Sequence, residues 1–415
     1  MVEYEVRLIT GQFLTHMKIL FVHDRLGAQA GAEANLFHTA VEMKRRGHQL
    51  FIAHGAGTGK EESHWRDLFL ECFQLSPGST VGNIATAIEA TSPDIIYLHN
   101  PPDQSLVSFL ADSHTPVVRM VHDHKLFCLR GCKYTPWSRR PCHRALGPYC
   151  VFPCGGVISR SSDTGRRFGW VSYRKKHREL NDHKRFARLI VASHYMRSEL
   201  LRNGVRTSRI AVHPPVPPPT KTSVSPTFCA ENRLVYAGQI ARGKGVDVLL
   251  RSLARVKTSY ECIILGEGHH RAHCESLSKQ LGLTERVHFR GYVPQDELSS
   301  IYEGASMAVM SSVWPEPFGA TGLEAMGCGL PVVAFDAGGI ADWLRDGENG
   351  FLIPWMDQEG FAAAVETLLK DKAQARSFGE RGRVIAEDQF GFGNYIDHLE
   401  DLFAEVFEQE LEVFA

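Results

Sequence analysis

Short, continuous apolar runs recur along the chain, separated by longer stretches in which apolar residues return every three or four positions. Candidate strands are 18–22 (KILFV), 49–53 (QLFIA), 94–98 (DIIYL), 117–121 (VVRMV) and 188–192 (RLIVA). A second series follows at 233–237 (RLVYA), 261–265 (ECIIL), 286–290 (RVHFR), 307–310 (MAVM) and 331–335 (PVVAF). Runs that are apolar throughout, rather than alternating, suit strands covered on both faces of a parallel sheet. Helical segments between them supply the crossovers, so each series predicts a doubly wound α/β domain. Between the series lies HPPVPPPTKTSVSPTF, residues 213–228. Its prolines fix φ and remove backbone donors, which predicts an extended linker. The expected units are a first domain at 17–215 and a second at 216–390, facing each other across a cleft, with residues 1–16 as an N-terminal extension. After Arg383 there is no lysine or arginine, and the acidic tail has apolar residues at helical spacing. Residues 391–415 are therefore expected to form an amphipathic helix that packs back on the first domain.

Length and composition narrow the picture. The chain of 415 residues is too long for one ordinary core. Its 43% apolar and 22% charged residues fit a soluble globular protein, and a net charge of −1 argues against nucleic acid as a partner. No apolar run approaches the roughly 20 residues that span a bilayer. The opening MVEYEVRLITGQFLTH lacks the basic start and apolar stretch of a secretory leader. The expected location is the cytoplasm, extending to the inner face of the membrane.

The loop EPFGATGLEAMGCGLPVVAFDAGG, residues 316–339, concentrates the candidate chemistry. MAVMSS reads as a strand, VWPEPFG as a loop and TGLEAMGCG as a helix. In such sheets ligands bind beyond the carboxyl ends of the strands, where helix N-termini present unpaired N–H groups. Gly319 permits close backbone approach, and Ala320 and Thr321 open the helix, a seat for an anion such as a diphosphate. Glu324, one turn further in, can accept hydrogen bonds from vicinal hydroxyls such as those of a ribose. Glu316 stands before the turn, facing the cleft.

This stretch resembles the E-x7-E signature of the retaining glycosyltransferases of family 4, which have the GT-B fold of two Rossmann-like domains. MKILFVH…AGAE, PDIIYLHN, VVRMVHD, LVYAGQIARGKGVDVLLRSL, VHFRGYVPQDELSSIYEGASMAVMSS and AGGIADWLRDGENGFL follow the family's ordered motifs from Met17 onward. The resemblance implies that Glu316 contacts the transferred sugar and Glu324 the ribose. It implies that Gly319, Ala320 and Thr321 bind the diphosphate through backbone amides, and that Lys244 supplies a cation to the leaving phosphates. Gly31, Gly238, Arg242 and Tyr292 complete the implied donor-binding set, and His122, at a strand end of the first domain, meets the donor sugar. Two departures stand out. Gln239 occupies the place of the family's arginine, with Arg242 three positions on as the compensating charge, and Ala30 replaces a glycine of the first loop.

The implied donor is a UDP- or GDP-sugar and the acceptor a glycan or a lipid-linked hydroxyl, in cell-surface polysaccharide synthesis. The implied transfer retains anomeric configuration by front-face attack. The sequence has no D-x-D pair at a strand end to hold a divalent ion with substrate phosphates, so catalysis without a metal cofactor is expected, with Lys244, Arg242 and helix amides meeting the charge. Other GT-B activities, namely an epimerase, a glycosyl phosphorylase or a non-catalytic nucleotide-sugar-binding subunit, remain as alternatives.

Two features lie outside that pattern. CLRGCKYTPWSRRPCHRALGPYCVFPC, residues 128–154, contains Cys128, Cys132, Cys142, Cys150 and Cys154. A structural zinc held by thiolates, reduced packing thiols, and disulfides or an iron–sulfur site are the readings this spacing allows. Residues 160–209 are rich in lysine and arginine, with Trp170 and Tyr173 among them. The stretch reads either as a solvated helical face or as a patch for anionic lipid head groups.

Overall fold

The structure, a computed structural model, describes residues 7–9, 12–14, 16–27, 31–135, 137–159, 169–216, 218, 229 and 231–414. Ala30, residues 160–168 of the basic stretch and most of the 213–228 linker lie outside the described residues.

The first sheet has seven parallel strands: β1 (Lys18–Leu26), β2 (Gln49–Gly57), β3 (Glu71–Gln74), β4 (Ile95–Leu98), β5 (Val117–Val121), β6 (Arg188–Val191) and β7 (Ile210–Val212). Their order is β3-β2-β1-β4-β5-β6-β7. The second has six: β8 (Arg233–Ala237), β9 (Glu261–Leu265), β10 (Val287–Gly291), β11 (Met307–Met310), β12 (Val332–Phe335) and β13 (Gly350–Ile353). These too are parallel, in the order β10-β9-β8-β11-β12-β13. All ten strands expected from apolar runs are present, and β3, β7 and β13 are additional. Each of the three is an edge strand, and β3 and β7 have no fully buried residue. β3 (ECFQ) is broken by polar residues, and the apolar runs of β7 (IAV) and β13 (GFLI) are only three residues long once Gly350 is set aside, too short to stand out as strands.

Six helices matter for the site: α1 (Gly31–Arg45), α2 (Tyr173–His183), α3 (His194–Arg202), α4 (Val246–Leu253), α5 (Ala320–Gly327) and α6 (Phe392–Phe414). In both sheets the strand order reverses beside the first strand of the series, between β1 and β4 and between β8 and β11. Those reversals open crevices at the carboxyl ends of the strands, the places where ligands of doubly wound sheets bind.

The last helix, α6, packs on the first domain. The Tyr97 and Phe403 rings meet edge to face at 5.1 Å. Arg46 Nη1 pairs with Asp397 at 2.6 Å and Glu400 at 2.5 Å, and His48 Nε2 lies 2.8 Å from Glu400. Asn35 on α1 donates to the Tyr395 hydroxyl at 3.2 Å in a buried contact. Tyr395→Phe leaves that amide without its acceptor, so a loss of about 1–2 kcal/mol in chemical denaturation is expected. A variant as stable as the parent would mean that α6 does not dock through this contact. No helix among the described residues is long and apolar enough to cross a membrane.

Candidate active site

The crevice of the second domain is built by two loops stitched together by backbone bonds. Val313 and Trp314 N–H both donate to Gly243 O, at 2.8 and 3.0 Å. Ser311 Oγ donates to Lys244 O at 3.1 Å. Gly245 has φ +68°, and a Cβ there would stand 1.9 Å from Ser311 O, so only glycine lets the loops close this tightly. The result places Lys244 Nζ 2.7 Å from Glu316 Oε1. Ser312 Oγ donates to the same oxygen, and the ammonium also lies 5.1 Å from the centre of the Trp314 ring.

Glu316 is 3% exposed. Burial alone pushes its carboxyl up, but the Lys244 charge and the hydrogen bonds from Lys244 and Ser312 outweigh that, and the net displacement is downward. Its backbone is fixed as well, with N–H to Ala337 O at 3.0 Å and C=O accepting from Gly339 N–H at 2.7 Å. Gly338, at φ +70°, permits this, since a Cβ there would meet Glu316 O at 2.4 Å.

Gly319 caps α5 in the left-handed conformation, φ 87° and ψ 46°. Ala320 and Thr321 are the first residues of α5, where N–H groups lack intrahelical acceptors. Glu324 lies one turn further and is partly exposed. Gly238, at φ +154°, ends β8, and a Cβ on Gly266 would stand 1.9 Å from its carbonyl.

The first domain supplies the opposing wall. His122, directly after β5, has Nε2 2.9 Å from His99 Nδ1. Desolvation, then the neighbouring His23, pushes His122 down to about 3, so the pair is neutral at ordinary pH. Two residues on, buried His124 places Nε2 2.7 Å from Pro315 O. A carbonyl can only accept, so Nε2 bears the proton. Ser193 Oγ donates to Pro317 O at 2.6 Å. The carbonyls on both sides of Glu316 are thus held by the first domain. Sequence reasoning missed His124 and Ser193; the signal for His124 was its place two residues beyond His122 at a strand end.

The remaining expected residues are more dispersed. Gly31 begins α1, but residues 28–30 lie outside the described residues. Arg242 opens the loop bearing Lys244, and its Nη2 reaches Trp137 O at 3.4 Å. Tyr292, just after edge strand β10, is 76% exposed.

All five clustered cysteines are free thiols. Among the described residues, no three of their sulfurs lie within 4.8 Å of one another; the group that meets that distance is Asp247, His270 and His273. A hydrogen bond from Cys132 holds the Cys128 thiol well below its usual range. The segment also has anchors that its polar sequence hid. Phe127, Leu129 and Leu146 are buried, and Lys133 Nζ, 1% exposed, pairs with fully buried Glu199 at 2.6 Å.

Two parallel-sheet Rossmann-like domains facing a cleft make this a GT-B fold. Residues 30–216 match the model of Glycosyltransferase Family 4, and residues 223–384 match that of Glycosyl transferases group 1. Each half of the chain is thus similar to a glycosyltransferase domain of one of these descriptions. A lipopolysaccharide core biosynthesis glycosyltransferase of Rhizobium meliloti is 35% identical over 153 residues, 37% of this chain and 44% of the relative. A D-inositol 3-phosphate glycosyltransferase of Corynebacterium urealyticum is 34% identical over 155 residues, 35% of this chain and 36% of the relative. The matches span less than half the length of these curated relatives. Among solved structures, Anabaena HepE in complex with UDP and glucose superposes with a TM-score of 0.69 at 21% identity, covering 94% of this chain and 100% of that one. Sucrose-phosphate synthase of Thermosynechococcus elongatus superposes with a TM-score of 0.72 at 18% identity, over 94% of this chain and 100% of that one.

Proposed function

We propose that the protein transfers a sugar from a UDP- or GDP-sugar to a hydroxyl of a glycan or lipid-linked acceptor, with retention of configuration, in cell-surface polysaccharide synthesis. The observation behind this reading is the Lys244–Glu316 pair at the crevice of the second domain, just ahead of the N-terminus of α5. A diphosphate laid over Ala320 and Thr321 gains from unpaired amides and the positive end of the helix dipole. Lys244, a quarter exposed, is free to turn from Glu316 toward the bridging oxygen as negative charge develops there. Glu316 then faces the transferred sugar, Glu324 accepts from the ribose, and Gly31, Gly238, Arg242 and Tyr292 border the donor. From the first domain, neutral His122 hydrogen-bonds the sugar without adding a second cation. Front-face attack by the acceptor hydroxyl, as the anomeric bond to the diphosphate breaks and the hydroxyl proton passes to the departing phosphate oxygen on the same face, accounts for retention.

Because protein groups meet the leaving charge, transfer is expected to persist in EDTA. Activity lost in EDTA and restored by magnesium or manganese would count against this. The reading as a whole is tested by a panel of nucleotide sugars in thermal unfolding. A donor at about 100 times its Kd stabilises the fold by about 2.7 kcal/mol, a clear upward shift in Tm. If no nucleotide sugar shifts Tm, the site does not bind a donor. Gln239, uncharged where an arginine would assist departure, favours a second reading as a binding subunit; it predicts stabilisation by a donor with no turnover.

The acceptor reading extends to the membrane. Trp170 is 84% exposed beside α2, whose Arg174, Lys175 and Arg178 are exposed. That surface within residues 160–209 suits the anionic head groups of the inner face of a bilayer.

A further inference from the structure

Residues 133–135 and 137–142 of the cysteine-rich segment form a hairpin finger. Cys142 N–H donates to Lys133 O at 2.7 Å, Thr135 N–H to Arg140 O at 2.9 Å, and Arg139 N–H to Thr135 O at 3.1 Å. Its root is fixed in the first domain, where Lys133 Nζ pairs with Glu199 of α3 and donates to Arg144 O at 2.6 Å. Its tip crosses to the second domain. Arg139 Nη1 and Nη2 form a fork onto Asp247 Oδ1 and Oδ2, at 3.0 and 2.7 Å. Asp247 is in the first turn of α4, three residues after Lys244. The Tyr134 ring rests against the same loop, since a Cβ on Gly243 would lie 3.3 Å from Tyr134 Cε1.

The Arg139 and Asp247 side chains are only 12% and 10% exposed. Desolvating both charges offsets much of their attraction, so such a pair is poor evidence of added stability and better suited to fixing register. Arg139 also sits at φ 58°, a left-handed backbone that a non-glycine residue keeps only when its surroundings impose it. These observations converge on the loop 242–245, which presents Lys244.

We infer that the finger is a clamp between the domains, with the Arg139–Asp247 fork as its latch, and that it acts by positioning Lys244. Arg139 is thus a positioning residue, acting through the loop. This rests on the leaving-group role proposed for Lys244, because a displacement of about 1 Å in such a group can cost about 100-fold in rate.

The test combines kinetics with amide hydrogen exchange. Arg139→Ala is expected to lower kcat about tenfold or more, within that range, and to raise exchange over residues 239–246. Exposed Arg140→Ala, the neighbouring control, should do neither. In a Lys244→Ala background, Arg139→Ala should lower kcat no further. The exchanged pair, Arg139→Asp with Asp247→Arg, should restore protection of the loop. An unchanged kcat, an equal loss in both backgrounds, or unchanged exchange would each overturn the clamp. If the parent protein transfers no sugar at all, the proposed function fails separately, and exchange over 239–246 alone decides the clamp.

Discussion

Replacing Lys244 with alanine is expected to lower kcat by about 30- to 1,000-fold, with KM for the donor changed by only a few-fold. The range corresponds to roughly 2–4 kcal/mol of lost transition-state stabilisation by a charge in a sheltered site. The split follows from when the contact is made. In the structure the ammonium is engaged by Glu316 at 2.7 Å, so a ground-state donor gains little from it. Charge growing on the leaving diphosphate draws the ammonium away, and a contact strengthened only in the transition state appears in kcat. Removing Lys244 also leaves a buried carboxylate without its cation. Desolvation of Glu316, now less opposed, raises its pKa, and some loss of stability follows. Tm measured beside kcat separates the two effects. A variant altered only in KM would transfer the leaving-group role to Arg242.

Much of this site was legible in the sequence, and the gaps have physical causes. Glu316, Gly319 and Glu324 were singled out because a strand, a glycine turn and a helix start occur close together in the sequence. Lys244 was found through a motif, yet its ion pair with Glu316 joins residues 72 positions apart, which no local pattern encodes. His124 and Ser193 act on the carbonyls of Pro315 and Pro317. A backbone acceptor leaves no residue-type signature, so only the strand-end position of His124 offered a hint and Ser193 offered none. The cysteine segment was opaque in a different way. Thiol spacing left zinc, packing thiols and disulfides or an iron–sulfur site open, and it gave no sign of the buried Lys133–Glu199 pair or the fork onto Asp247. Both partners lie far along the chain, where spacing rules do not reach.

Glu316→Ala is expected to be the most damaging single change, lowering kcat by about 100- to 1,000-fold, or roughly 2.7–4 kcal/mol, while nucleotide still binds through α5. The carboxylate holds Lys244 and, in the function proposed above, also meets the transferred sugar, so the two residues should behave as a unit. The double variant with Lys244→Ala should be scarcely worse than Glu316→Ala alone. Glu316→Gln tests the charge itself, and pH gives an independent check on it. The folded pKa of Glu316 is depressed below its ordinary value of 4.5. Ionisation therefore favours the folded state: the contribution is fully present above the unfolded pKa and is lost as pH falls through the lower folded value. The stability difference between parent and Glu316→Gln should accordingly be constant above about pH 5.5, one unit above that ordinary value, and shrink below about 4.5. A difference that instead grows on acidification would mean that the carboxyl is protonated in the fold. A double variant far worse than either single one would mean that Glu316 and Lys244 act independently, and the paired role proposed for them would be wrong.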